Sequence, residues 1–255
     1  MTDHIKVTKT GGVLTLAFDR PDKKNAITDA MYGVLADELE AAETDTQVRT
    51  ILIRSEGDLF TSGNDVSEFA AAAMGGAGLV NVIRFINALA NATKPIVAAV
   101  QGKAVGVGTT LLLHCDHVIL ADDAQLSTPF VNLALTPEAG SSLLLPARVG
   151  HSRAFTMFAL GDAVSAQDAL SWGLANQVVP RGDLDATAIA FADRLARQPL
   201  GSLVATKTLM RDAAAIRQQM QTESQVFVDR IKTPEAQEAF MAFAQRRAPD
   251  FSRFA

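Results

Sequence analysis

Hydrophobic positions along the chain fall into two kinds of run. Val13 to Phe18 alternates as a strand does until Arg20-Pro21-Asp22 breaks it into a charged loop. Thr28 then caps a helix, because from Asp29 to Glu43 the residues Met31, Leu35, Leu39 and Ala42 recur at helical spacing with acidic residues on the opposite side. Val48 to Arg54, Pro95 to Val100 and Asp116 to Ala121 are short and β-branched or continuously apolar, which predicts three more strands, at least one of them buried on both faces. Leu79 to Ala92 predicts a helix between them, and Met74-Gly75-Gly76-Ala77-Gly78 before it predicts a mobile loop.

Beyond about residue 145 strand signals thin and helical ones dominate. Ser165 with Asp168 makes a capping-box-like start to a helix running to Trp172 and stopping at Gly173. Leu184 to Gln198, Leu200 to Arg211, and a segment from Thr233-Pro234-Glu235 to Arg247 predict further helices, the last with Pro in its first turn. The chain carries no internal repeat and no low-complexity tract. The pattern predicts an α/β protein with a core over residues 1–195 and a helical region over residues 196–255.

Composition narrows the partners. With 255 residues, 48% of them hydrophobic and 20% charged, the chain can bury a sizeable core. A net charge of −5 lacks the basic footprint that a phosphate backbone requires, so nucleic acid is not the expected partner. Residues 1–10 carry charges without an apolar signal core, and no apolar run reaches the ~18 residues of a membrane helix; neither export nor a membrane span is expected, and the location reads as cytoplasmic. Cys115 is the only cysteine, which rules out an intrachain disulfide and a Cys-based metal cluster; it reads as a buried, inert thiol. His114, His117 and His151 lack ligand spacing, so no metal is expected.

Two glycine-containing loops carry the candidate chemistry. Phe60-Thr61-Ser62-Gly63-Asn64-Asp65-Val66 follows a predicted strand, and its small residues allow backbone N–H groups to face a ligand. Gln101 to Gly108 lies between an apolar strand and the run Leu111 to Leu113, taken as the start of a helix, so its end presents unpaired N–H donors where negative charge would be stabilised. A dinucleotide fingerprint is excluded because position 111 is Leu where G-x-G-x-x-G needs Gly.

These two loops, with Cys115-Asp116, Thr128-Pro129-Phe130, and Trp172-Gly173-Leu174-Ala175 followed by Val178-Val179-Pro180, resemble in order and spacing the enoyl-CoA hydratase/isomerase (crotonase) superfamily over nearly the whole chain. The resemblance implies a crotonase-like spiral of ββα units, a C-terminal helical trimerisation region, a homotrimer or dimer of trimers, and an acyl-CoA thioester substrate. Coenzyme A belongs to that substrate, and no further cofactor is implied. The thioester carbonyl would be held by the backbone N–H groups of Asn64 and Val107. Further contacts to substrate or coenzyme would come from Lys24, Ala26, Ser62, Gly63, Asp65, Val66, Gly106 and Phe130; Arg20, Lys23 and Lys24 read equally as partners of the phosphates and as solvated loop charges. Phe240 to Pro249 with Phe251 resembles the terminal helix that lies near a neighbouring subunit's coenzyme, and residues 70–78 would line the acyl pocket.

The family's hydratases activate water with two glutamates, and by the same alignment these fall on Thr110 and Phe130, neither of which is a carboxylate base. Glu138, within Thr136-Pro137-Glu138-Ala139-Gly140-Ser141-Ser142, stands where the isomerase branch typified by peroxisomal Δ3,Δ2-enoyl-CoA isomerases has its single catalytic glutamate, and Gly63-Asn64-Asp65 agrees with that branch. Phe130, Val131, Leu133, Leu135 and Leu143 are expected to surround Glu138 and raise its pKa. A plainer reading makes Glu138 a first-turn acid of a helix over Ala139 to Leu145. Asp65 reads as a structural residue of its own loop, and Ser141 and Ser142 lack the G-x-S-x-G frame of a nucleophile. Two other activities remain open: another crotonase reaction, hydration included, and non-catalytic acyl-CoA binding.

Overall fold

The computed structural model describes residues 2–68 and 80–254; the expected loop at Met74 to Gly78 and the first residue of the expected helix, Leu79, lie outside them. Strands β1 (Ile5–Thr10) and β2 (Val13–Phe18) form an antiparallel hairpin. Helix α1 (Asp29–Thr44) is capped as expected by the Thr28 side chain, which accepts the Met31 N–H, and leads to β3 (Thr50–Ser55). Helix α2 (Val80–Asn91) packs on α1. Then come β4 (Ile96–Val100), β5 (Lys103–Val105), the single turn α3 (Val107–Thr110), β6 (His117–Ala121) and β7 (Gln125–Ser127). The second half contains α4 (Ser141–Val149), α5 (His151–Leu160), β8 (Val164–Ser165), α6 (Ala166–Trp172), β9 (Gln177–Val179) and α7 (Leu184–Ala196). It ends in α8 (Leu200–Met210), α9 (Ala213–Ile231) and α10 (Pro234–Ala244).

Six strands form one sheet in the order β1-β2-β3-β4-β6-β9, parallel except for β1, and β5-β7-β8 form a second, smaller sheet. The central strands are buried on both faces, so their residues alternate between two cores. Ile51, Ile53, Ile96 and Ala98 face one with α1 and α2, while Leu52, Val97 and Ala99 face the other, where α7 lays down Ala188, Ala192 and Ala196. Alanine at every fourth position keeps that helix surface flat and lets its backbone approach the sheet.

Several expectations are corrected in detail. The helix expected from Leu111 begins at Val107, and Leu111–His114 is a 3-10 turn continuing it. Strands do thin beyond residue 145, but the short Gln177–Val179, which no local pattern announced, pairs with β6 as an edge of the main sheet. Helix α9 was not anticipated; its buried side consists of Ile216, Met220 and Glu223, too sparse a stripe to stand out in a polar segment. At Ser165 the cap is a variant of the expected box: its Oγ accepts the Asp168 N–H at 3.1 Å and donates to the Asp168 carboxylate at 2.7 Å. Among the described residues no helix is long and apolar enough to cross a membrane.

Candidate active site

The two glycine loops are fastened to each other. Thr61 and Ala104 form an isolated parallel bridge: the Thr61 N–H donates to the Lys103 carbonyl at 3.0 Å, and the Val105 N–H to the Thr61 carbonyl at 3.1 Å. From that bridge each strand continues three residues, one to Asn64 and the other to Val107, so a single register places both N–H groups. The approach is too close for side chains. A Cβ on Gly108 would lie 2.4 Å from the Thr61 Cγ2, and one on Gly63 would lie 2.9 Å from the Val105 carbonyl oxygen. On its other side the first loop is tied to Ile27, whose N–H donates to the Gly63 carbonyl and whose carbonyl accepts the Asp65 N–H, both at 2.9 Å. Among the described residues nothing accepts the N–H of Asn64 or of Val107. The Val107 N–H has no partner within α3 because it opens that helix. Two unspent donors on one clamped frame can stabilise an oxyanion.

Glu138 faces this frame through Thr110, the last residue of α3. The Thr110 hydroxyl donates to Glu138 Oε1 at 2.6 Å, and among the described residues the other oxygen, Oε2, takes no hydrogen bond. The residue keeps some contact with solvent, yet its carboxyl is enclosed. Burial pushes its pKa up to about 7, the Thr110 hydroxyl pulls the other way, and the charge of Glu223 adds to the rise. The apolar ring expected from neighbours in sequence is only partly there, since Val131 and Leu143 point outward with 47% and 41% of their surface exposed. Burial of the carboxyl comes from the fold, with Thr110 in contact and Tyr32 nearby, whose phenol pKa is raised by its own burial and further by the Glu138 charge.

The first-turn reading of Glu138 does not hold. Helix α4 starts three residues later, at Ser141, and its N-terminus is served by Glu223 of α9, which accepts the N–H groups of Gly140 at 2.6 Å and Ser142 at 2.8 Å and the Ser142 hydroxyl at 2.5 Å. Between Glu138 and the helix the chain turns through left-handed Ala139 and Gly140, at φ 59° and 71°. The Ala139 carbonyl accepts the Nε2–H of His114 at 2.7 Å, while Arg211 donates to His114 Nδ1 at 2.5 Å. Burial, reinforced by Arg211, lowers the His114 pKa to about 3, so the ring stays neutral and these roles fix its tautomer.

The remaining expected residues divide into loop scaffold and open edge. Asp65 is structural, as read: it pairs with Arg20 at 2.7 Å and accepts the N–H and hydroxyl of Ser67. Arg20 also donates to the Ala26 carbonyl, so its guanidinium is engaged within the fold, and Lys23 and Lys24 are the exposed cations of that edge. The Lys24 carbonyl accepts the Ser62 N–H, and the Gly106 N–H donates to the Ser127 carbonyl. Val66 is partly buried, and Phe130 is buried with its ring centroid 6.1 Å from that of Phe158. Cys115 is buried and its thiol is pushed up to about 12. Ser142 is held by Glu223 and Gln219, and His117 stacks on Phe191.

Sequence reasoning missed two members of this cluster. Tyr32, the only tyrosine, is fully buried on the core side of α1, and its hydroxyl donates to the Asn64 side-chain oxygen. A phenol on an otherwise apolar helix face was the available signal. Glu223 occupies a stripe position with Ile216 and Met220, and an acid at such a place must find partners.

A model of the family described as enoyl-CoA hydratase/isomerase matches residues 8–253. The chain is 36% identical over 212 residues to enoyl-CoA delta isomerase 2 of Rattus norvegicus, covering 81% of this chain and 54% of that protein; it thus spans about half the length of that relative. It is 33% identical over 249 residues to 2,3-dehydroadipyl-CoA hydratase of Escherichia coli (strain K12), covering 96% and 97% of the two chains. Among solved structures, an enoyl-CoA hydratase/isomerase from Pseudoalteromonas atlantica T6c superposes with a TM-score of 0.93 at 38% identity, covering 98% of this chain and all of that one. A match of that extent, on the crotonase fold and with both glycine loops in place, establishes that the chain belongs to the enoyl-CoA hydratase/isomerase family of acyl-CoA enzymes.

Proposed function

We propose that this enzyme shifts the double bond of a 3-enoyl-CoA into conjugation, giving the 2-trans-enoyl-CoA, with Glu138 as its only proton carrier. The observation that carries the reading is one enclosed carboxylate with a free oxygen, hydrogen-bonded to a hydroxyl at Thr110, while Phe130 fills the other place where a hydratase would have an acid. The thioester carbonyl sits between the N–H groups of Asn64 and Val107. Glu138 takes a proton from C2, whose acidity comes from both the carbonyl and the alkene, and the electron pair moves into a dienolate whose oxygen charge the two N–H groups stabilise. The same carboxyl, now protonated, gives that proton to C4. One proton moves and nothing is gained or lost, so a second acid has no task. A pKa near 7 leaves Glu138 able both to take the proton and to return it at neutral pH.

The exposure of Lys23 and Lys24 supports a part for them in meeting coenzyme phosphates, and exposed Leu209, Met210, Met241 and Phe243 on α8 and α10 support the proposal of a homotrimer or dimer of trimers. Sedimentation at the mass of a single chain would contradict the latter. The activity is tested with 3-hexenoyl-CoA, following the absorbance of the conjugated thioester. Conversion abolished by Glu138→Gln is the expected result. Efficient addition of water to crotonyl-CoA, with no action on the 3-enoyl thioester, would overturn the reading in favour of a hydratase such as the Escherichia coli relative.

A further inference from the structure

We infer that Glu223 is a positioning residue for Glu138, acting from the C-terminal helix α9 through the Gly140–Ser142 turn. The inference rests on the proposed role of Glu138 and extends it to a residue 85 positions away in sequence.

Three donors converge on the Glu223 carboxylate, two of them on Oε1 and one on Oε2: the Ser142 N–H and hydroxyl on the first and the Gly140 N–H on the second. Glu223 is itself only 6% exposed, so these donors are what compensates its burial. Both oxygens are needed as acceptors. A glutamine there must turn its NH₂ toward either the Gly140 or the Ser142 N–H, which leaves one backbone donor unpaired in either orientation. The turn so held begins immediately after Glu138 and passes through left-handed Ala139, a conformation alanine does not adopt unless its surroundings impose it. His114 secures the Ala139 carbonyl from one side, and Glu223 secures the N–H groups of Gly140 and Ser142 from the other. Glu138 therefore enters the site from a turn whose 139–140 and 141–142 peptide groups are both held. Its direction toward Thr110 is set by that turn.

The carboxylate also acts through space. The ionisable groups facing the Glu138 carboxyl are Glu223 from α9 and Tyr32 from α1; Arg211 approaches from beyond α8 but points to His114, and burial keeps the Tyr32 phenol neutral. Of these, Glu223 is the one whose negative charge opposes ionisation of Glu138. Position and charge thus come from the same residue.

The test is Glu223→Gln and Ser142→Ala, assayed for isomerisation of 3-hexenoyl-CoA with thermal melts alongside. In Glu223→Gln, kcat should fall roughly ten- to hundredfold, the range for a displaced catalytic group, with KM within about twofold of the parent. The acid limb of its pH–rate profile should move to lower pH, because a charge that opposes Glu138 ionisation has gone. Ser142→Ala keeps the charge and loses one donor, so kcat should fall several-fold with the limb unmoved. A residue that served stability alone would lower the melting temperature and leave both the kcat/KM split and the limb unchanged, and that result overturns the inference. Should Glu223→Gln fail to fold, the kcat of Ser142→Ala decides, and an unchanged value again overturns it. Glu138→Gln separates the two readings: if it is fully active the base is misassigned, whereas if it is dead while the other variants keep parental kcat, the positioning role alone fails.

Discussion

Replacing Glu138 by Gln removes an ionisable group from a place that disfavours its charge and keeps an oxygen that can accept the Thr110 hydroxyl. The Glu138 pKa is about 7 against an ordinary 4.5. The native carboxyl therefore holds its proton up to about pH 7, while the unfolded chain releases it near 4.5. Between these limits unfolding releases a proton, so stability declines as pH rises through the window, then stays level above it. At about 1.4 kcal/mol per pKa unit the full penalty is about 3 kcal/mol, and the residual solvent contact of Glu138 brings it to roughly 1 to 3 kcal/mol. Glu138→Gln should exceed the parent by that amount at about pH 8, by less at about pH 6, and match it near the ordinary carboxyl pKa. Its isomerase rate should fall at least about a hundredfold. Urea unfolding followed by far-ultraviolet circular dichroism, at matched protein concentration across this pH range, reads the first effect; the 3-hexenoyl-CoA assay reads the second. A dead variant that is no more stable at high pH than the parent would refute the claim that the base is tuned by burial. A stabilised variant with full activity would refute the claim that Glu138 is the base.

Three further outcomes follow from the same geometry. Thr110→Val removes the hydrogen bond that holds the Glu138 pKa down, so the acid limb of kcat/KM should move above about 7 and the rate at neutral pH should fall about threefold or more; an unmoved limb would count against the Thr110 contact. Gly108→Ala puts a Cβ 2.4 Å from the Thr61 methyl and must separate the two N–H donors, lowering kcat/KM roughly ten- to hundredfold, while Gly182→Ala, where nothing lies within 4 Å, should act as the parent does. Cys115, buried with a thiol pKa near 12, should resist a thiol-specific disulfide reagent until the protein is unfolded, and rapid labelling of the native protein would contradict its placement.

How much of this was legible in the sequence depended on whether the signal was local. Strands β2, β4 and β6 and helices α1 and α2 show their period within a dozen residues, and their central residues were read correctly apart from their ends. Strand β1 was missed although Gly11-Gly12 between two six-residue runs is a hairpin signal, because Lys9 stands where the series Ile5, Val7 calls for a third apolar residue and leaves the alternation short. The three-residue strands β5, β7 and β9 are made by their partners and have no pattern of their own. The site divided in the same way. The glycine loops were visible because close backbone approach demands glycine in the chain itself. Glu223 was not, because what it satisfies lies on a turn more than 80 residues earlier, and the pairing of Arg20 with Asp65 was not, because the two are 45 residues apart.

The identities at positions 110 and 138 are linked, and that link bears on which chemistry the site can perform. The Thr110 oxygen lies 2.6 Å from a carboxylate oxygen of Glu138. A carboxylate placed at 110, as the resemblance assigns to hydratases, would reach that same region from the same turn of backbone. Two carboxylates so close cannot both ionise in an enclosed site: one would keep its proton and hydrogen-bond the other, and Glu138 would cease to be a free base at neutral pH. A hydroxyl at 110 avoids this, since it donates to the ionised form and withdraws nothing from the proton balance. Glu138 as sole proton carrier therefore requires a residue at 110 that brings no competing acid, a condition that Thr110 meets. Under the proposed mechanism, an acid placed at 110 beside Glu138 should cripple isomerisation of 3-hexenoyl-CoA, because it would add a second claimant for the one proton that this mechanism moves.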